Sequence, residues 1–274
     1  MDILYAGAGK LATGCAAQMK STARSQWAVR RTPRTGVSPF DMSFTADLAQ
    51  AQTWKLPASP THVLYTATPS GRTPQAYRAV YQEALQRLID RLDLSALQRF
   101  VFVSSTAVYA PGTEWVNEDS PTEPPAFNGQ ALLAAEQFLH QALGDKLVIL
   151  RLAGLYGPQR VQLFERLRAG RAVVPSGEGH WVNRLHDDDA VHLCAWALRL
   201  GVPAGIYLGV DNTPMEIAQL YDTLATWLKA PPVARGLHEP PTGKRLSNQG
   251  ITGLGFRLQW PSTFEGYRHL LSKP

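Results

Sequence analysis

The first dozen residues constrain this chain more than any other stretch. Asp2-Ile3-Leu4-Tyr5-Ala6 reads as a buried strand that runs straight into Gly7-Ala8-Gly9-Lys10-Leu11-Ala12, and a helix-compatible run follows to Met19. A strand, a tight turn and a helix joined by that glycine spacing form the opening of a dinucleotide-binding unit. Gly7 admits the sharp turn, Gly9 lets backbone approach a pyrophosphate, and small Ala12 permits close packing of helix on strand. The phosphate then sits at the positive end of the helix dipole, over Lys10 and Leu11.

Strand-like and helical runs alternate through the first 155 residues, which predicts an α/β fold with a doubly wound parallel sheet of about seven strands and a cofactor at their C-terminal edge. Strands are expected near Gln26–Arg30, ahead of Ala46-Asp47-Leu48, at His62–Ala67, at Phe100–Val103 and at Leu147–Leu150. The third of these segments ends in small residues, Ala67 and then Thr68, as an edge facing a ligand would. From Pro74 to Leu92 one helical face carries Tyr77, Val80, Tyr81, Ala84, Leu85, Leu88 and Leu92. That spacing reads as core packing rather than an aromatic ligand box. Pro111–Pro125 is too rich in proline for regular structure.

Beyond Pro158 the pattern changes. A short helix is expected at Val161–Leu167, a turn-rich excursion at Gly170–Gly179, and a helix opened by His186-Asp187-Asp188-Asp189 and running to Leu200. Ile206–Val210 reads as a strand returning to the main sheet, and Thr213-Pro214-Met215-Glu216 as a helix start. The expected division is therefore a nucleotide-binding domain over 1–158 and a smaller C-terminal substrate lobe over 159–274, with about 186–210 rejoining the sheet.

Composition narrows the function. No apolar run reaches the roughly 18 residues of a membrane span. Asp2 followed at once by a strand leaves no charged leader, so a cytoplasmic protein is expected. Cys15 and Cys194 lack any Cys-x-x-Cys partner and read as small buried hydrophobes. The net charge of +5, from 27 basic and 22 acidic residues, is scattered except at Arg30-Arg31-Thr32-Pro33-Arg34. With no aromatics among those arginines, the charge suits an anionic cofactor or small-molecule substrate better than nucleic acid. The aspartates of His186-Asp187-Asp188-Asp189 suit a helix dipole and free N–H groups better than a metal, and no metal is expected.

Two further segments carry a resemblance. Val103-Ser104-Ser105-Thr106-Ala107-Val108-Tyr109 follows the fifth strand, and Arg151-Leu152-Ala153-Gly154-Leu155-Tyr156-Gly157-Pro158 follows the sixth. With the glycine turn and His186-x-Asp-Asp, these resemble the extended short-chain dehydrogenase/reductase family, of the NAD-dependent epimerase/dehydratase type, over roughly residues 1–210. The resemblance implies cofactor contacts from Ser104, Ala153 and Leu155. It also implies an adenine contact from Asp47, and dimerisation of the kind that family often shows.

Charge then bears on the cofactor. An NAD site of this architecture has an acidic residue ending the second strand, about 20 residues past the glycines. Arg30 stands there, with Arg31 and Arg34 nearby. A guanidinium binds a 2′-phosphate that a carboxylate would repel, so NADP is favoured, with NAD as the alternative.

Catalysis is where the resemblance breaks. The family's tyrosine and the lysine four residues later fall here on Asn128 and Leu132, and no Tyr or Lys occurs between Tyr109 and Lys146. The lysine's charge would lower the phenol's pKa from about 10; an amide and an alkyl chain supply neither proton nor charge. Ser105 keeps the position of the family's catalytic hydroxyl. Tyr109, Tyr156 and His186 are the candidate proton donors, each with a packing role as the alternative. The expectation is an atypical NAD(P)-dependent oxidoreductase or epimerase/dehydratase-like enzyme, or else an NADP(H)-binding sensor without catalysis.

Overall fold

The computed structural model describes residues 1–33, 36–50, 55, 58–112 and 114–272; Arg34 lies outside them. Seven strands form one parallel sheet with flanking helices: β1 (Asp2–Ala6), β2 (Ser25–Arg30), β3 (Met42–Thr45), β4 (His62–Tyr65), β5 (Arg99–Ser105), β6 (Leu147–Leu152) and β7 (Gly205–Gly209). Their spatial order is β7-β6-β5-β4-β1-β2-β3. The order reverses between β1 and β4, so their carboxyl ends form the topological switch point where such sheets bind ligands. Register sets Ala6 beside Val29 and Tyr65, which aligns the three strand ends there. Ile3, Leu4, Tyr5 and Ala6 are wholly buried, as a strand covered on both faces must be.

Helix α1 (Lys10–Met19) follows the glycine turn. It packs so closely on α4 (Asp187–Ala197) that a Cβ at Gly14 would lie 2.7 Å from Val191. Cys15 and Cys194 are both fully buried on these helices, and burial pushes the Cys194 thiol up to about 12. The long helix α2 is α-helical over Pro74–Arg78 and Leu85–Ile89 but π-helical over Ala79–Ala84. The Tyr65 hydroxyl donates to the Val80 carbonyl at 2.6 Å inside that wide turn. Tyr77 and Tyr81 pack on each other, on Phe127 and on Phe102, so they serve the core. Helix α3 (Phe127–Leu143) lies alongside.

The chain divides into two compact units. The first holds residues 1–109, 122–151 and 190–207; the second holds 110–121, 152–189 and 208–274. The proline-rich loop is divided between them, 110–121 in the second unit and 122–125 in the first. The second unit's core gathers Phe164, Leu167, Val174, Leu220, Leu224 and Tyr267.

Two local expectations change there, and a third gains further roles. The excursion at Gly170–Gly179 contains a strand, Val173–Ser176, paired with Ala234–His238; its β-branched valines found a partner that local sequence could not show. Thr213 does not start a helix, because its amide and hydroxyl both bind Asp211 Oδ1, and the helix begins at Ile217 behind Glu216. The aspartates after His186 are also used elsewhere: Asp187 binds Arg160, and Asp189 accepts the amides of Gln259 and Trp260. The first-turn amide of Asp188 goes instead to His186 Nδ1 at 3.1 Å.

Candidate functional site

Three strand ends build the nucleotide edge. At the end of β1 the amides of Gly7 and Ala8 donate to the Val29 carbonyl at 2.9 and 3.1 Å, and the Gly9 amide to the Gly7 carbonyl at 2.7 Å. Thr66 Oγ1 holds the Gly7 carbonyl at 2.7 Å, and Thr13 Oγ1 holds that of Gly9 at 2.8 Å. Neither threonine stands out in the sequence, since a hydroxyl that fixes a loop carbonyl leaves no motif.

The two glycines are required for different reasons. Gly7 has φ +88°, and a Cβ there would stand 2.3 Å from the backbone of Ala67. Gly9 has an ordinary φ of −85°, and its nearest neighbour would be 3.9 Å away. Open space beside Gly9, at a helix start whose first amides lack an i−4 carbonyl, is a cradle that a side chain would fill and a pyrophosphate fits.

Two cations reach this turn. Arg30, ending β2, donates from Nη2 to the Ala8 carbonyl. Arg31 donates to the Thr68 carbonyl at 3.1 Å. Asp47, past β3, accepts the amide of Ala49 at 3.0 Å and shapes the neighbouring turn, which Arg87 ties to α2 through the Ala49 carbonyl. Gly7, Gly9, Lys10, Leu11, Arg30, Arg31, Ala67 and Thr68 thus gather at the carboxyl ends of β1, β2 and β4.

At the end of β5 adjacent serines point to opposite faces, as strand geometry demands. Ser104 is buried and donates to Glu136 Oε1 at 2.5 Å. Ser105 Oγ accepts the Ala107 amide at 3.2 Å, which leaves its own hydrogen to donate. The Tyr109 hydroxyl accepts from Arg151 Nη1 at 2.6 Å, and Arg151 also forks onto Glu136.

Helix α3 presses on the turn after Ser105. A Cβ on Gly129 would lie 2.2 Å from the Ala107 carbonyl. One residue earlier, Asn128 Oδ1 is buried and has no hydrogen-bond partner among the described residues. One turn later Leu132 is buried. An orphaned acceptor of this kind costs about 1–3 kcal/mol unless a donor arrives.

In the second unit, Ala153 is buried with its amide on the Gly209 carbonyl at 2.9 Å. Gly154–Tyr156 pairs in parallel with Arg184–His186, setting Leu155 beside Leu185 and Tyr156 beside His186. His186 is buried between Tyr156, at 5.0 Å between ring centroids, and Trp260, at 5.3 Å. Burial holds the Tyr156 phenol well above its ordinary range, the wrong direction for an acid or base working near neutrality. Among the described residues no helix is long and apolar enough to cross a membrane.

Known proteins share this architecture. Protein YeeZ of Escherichia coli K12 is 35% identical over 185 residues, which cover 66% of this chain and 65% of that protein; the chain thus spans just under two thirds of the curated relative. A Methylobacillus flagellatus structure classed with the NAD-dependent epimerases/dehydratases is 27% identical, with a TM-score of 0.78 over 98% of this chain and 97% of that one. A short-chain dehydrogenase/reductase superfamily protein from Agrobacterium tumefaciens, with bound NAD, has a TM-score of 0.80 at 20% identity over 99% of this chain and 96% of its own. The second of these structures shows the fold. The family model itself matches residues 30–208, from Arg30 into the strand β7. That match covers well over half of the chain, so the chain belongs to the NAD dependent epimerase/dehydratase family.

Proposed function

We propose that this chain is an NADP(H)-dependent oxidoreductase or epimerase-like enzyme that acts on a small molecule without the tyrosine–lysine pair. The observation that carries the cofactor preference is Arg30, at the end of β2, with its guanidinium on the Ala8 carbonyl inside the glycine turn. Arg31 reaches the same edge through Thr68. Two planar cations where an NAD site has a carboxylate favour a 2′-phosphate through charge-assisted forks.

A nicotinamide held at the glycine turn would supply hydride chemistry, and the protein orients the substrate and handles a proton. Ser105 donates its hydroxyl hydrogen to the substrate oxygen. The Tyr109 hydroxyl is committed to Arg151, and His186 is enclosed by aromatic rings. The proton therefore comes from water, and Asn128 Oδ1 is the acceptor suited to hold it. Such chemistry belongs in the cytoplasm, where reduced cofactor is held.

One observation favours a second reading, a cofactor-binding sensor: buried Leu132 occupies the place of the charge that would activate a phenol. Calorimetry with NADPH and NADH, followed by NADPH consumption across carbonyl and nucleotide-sugar substrates, separates the two. Turnover that Ser105→Ala abolishes supports the enzyme; NADPH binding without turnover across the panel supports the sensor. Absence of NADPH binding overturns both.

A further inference from the structure

The second unit contains a cavity of about 450 Å³, within the size range of small-molecule sites. Two distant segments build one wall. Trp115–Val116 pairs in parallel with Arg245–Leu246, and the Ser247 amide continues the pairing to the Val116 carbonyl at 2.9 Å. Asn117, Asp211, Asn212, Pro214, Asn248 and Gln249 complete the lining.

The amides there are oriented by what they already bind. Asn248 Nδ2 donates to Asn212 Oδ1 at 2.6 Å and to the Val210 carbonyl at 3.1 Å, which uses both of its hydrogens. Among the described residues its Oδ1 is left as an acceptor. Asn212, whose oxygen is taken, keeps its amide hydrogens. Asn117 Oδ1 accepts from the Asp119 amide and from Ser120 Oγ, each at 3.1 Å, so Asn117 also keeps its donors. Asp211 is anchored by Thr213 and Thr263. Trp115 is 56% exposed at this wall and braced by Arg245, which stacks on both Trp115 and Trp181.

Unspent amide donors beside an unspent acceptor match vicinal hydroxyl groups, each of which both donates and accepts. An exposed indole offers an apolar platform for the C–H face of a ring. Charge selects further. Among the described lining residues the one ionisable group is a carboxylate, Asp211, and Arg245 of the wall's strand pair is stacked on Trp115 and Trp181, whereas a diphosphate needs arginine or lysine forks.

The geometry points to this cavity as the subsite for an uncharged polyhydroxylated compound, a free sugar or polyol, rather than a nucleoside-diphosphate sugar. That the bound compound is the substrate rests on the proposed function; the binding itself does not. Saturation-transfer NMR on the full chain, with D-glucose, D-xylose, sorbitol and UDP-glucose as separate probes, tests it. At least one uncharged probe should bind more tightly than UDP-glucose, and Trp115→Ala and Asn117→Ala should each weaken it about tenfold. Both side chains lie at the surface wall, and NADPH affinity by calorimetry should stay unchanged in both variants. Tighter binding of UDP-glucose, no binding of any uncharged probe, or sugar binding indifferent to both substitutions overturns the inference. NADPH binding without sugar binding removes only this subsite; sugar binding without NADPH binding removes only the cofactor assignment.

Discussion

The Arg151 guanidinium and the Glu136 carboxylate meet in the core with Nη2 2.6 Å from Oε2 and Nε 3.1 Å from the same oxygen, both side chains almost wholly buried. Such a pair stands because its remaining valences are filled, by Ser104 on the carboxylate and Tyr109 on the guanidinium. Removing one partner strands a buried charge. Glu136→Ala should cost about 3–5 kcal/mol of stability, read as a lowered urea midpoint.

Tyr109 is a member of that network before it is a candidate acid. Tyr109→Phe should lower stability by about 1–3 kcal/mol, the cost of a lost hydrogen bond to a charged group, while NADPH turnover changes by less than about threefold. A loss of activity without loss of stability would return Tyr109 to the reaction.

The glycines should separate when substituted. Gly9→Ala has room and an ordinary backbone, so its urea midpoint should match the parent while NADPH affinity falls about tenfold or more. Gly7→Ala meets both a positive φ and the Ala67 backbone, and should lose stability and binding together.

Arg30→Ala should weaken NADPH about 10- to 100-fold, the loss of one charge-assisted contact of roughly 1.5–3 kcal/mol, and leave NADH nearly unchanged. Calorimetry with both cofactors reads the ratio. Equal losses for both would mean that Arg30 serves the turn rather than the 2′-phosphate.

His62, at the start of β4, gives a pH signature. Burial, aided by the N-terminal charge and Arg99, lowers its imidazole from 6.5 to about 4. Between those values the unfolded chain binds the proton and the folded chain does not, so stability is full above pH 6.5 and falls as pH drops toward 4, by up to about 1.4 kcal/mol per pH unit. Asp211, raised to about 6 by burial, has the opposite slope between 3.8 and 6, so the total profile is flattened. The measurement is therefore the difference in urea stability between the parent and His62→Gln at pH 5 and pH 8. The parent's acid loss should exceed the variant's; parallel profiles would overturn the assignment.

Much of the fold was legible because its signals are local. The glycine turn, the strands of the sheet and the return of Gly205–Gly209 each follow from short-range pattern. What escaped needed a partner distant in sequence. Thr13 and Thr66 hold the turn, Gly14 admits Val191, and Val173–Ser176 became a strand because Ala234–His238 lies beside it. The capping pattern at Thr213 misled because Asp211 took its hydrogens, and the aspartates in the first turn after His186 also serve Arg160 and a C-terminal loop.

The sequence alone determined a glycine turn between strand and helix, a doubly wound sheet, and an arginine ending the second strand. Those follow from backbone conformation, hydrophobic period and residue identity, which are properties of neighbours in the chain. Tertiary structure decided which polar groups are already committed. Tyr109 is held by Arg151, Ser104 by Glu136 and Asn248 by Asn212, whereas Asn128 Oδ1 remains buried with no partner among the described residues. A hydrogen bond formed between distant residues decides which atoms remain to meet a ligand, and no local pattern encodes it.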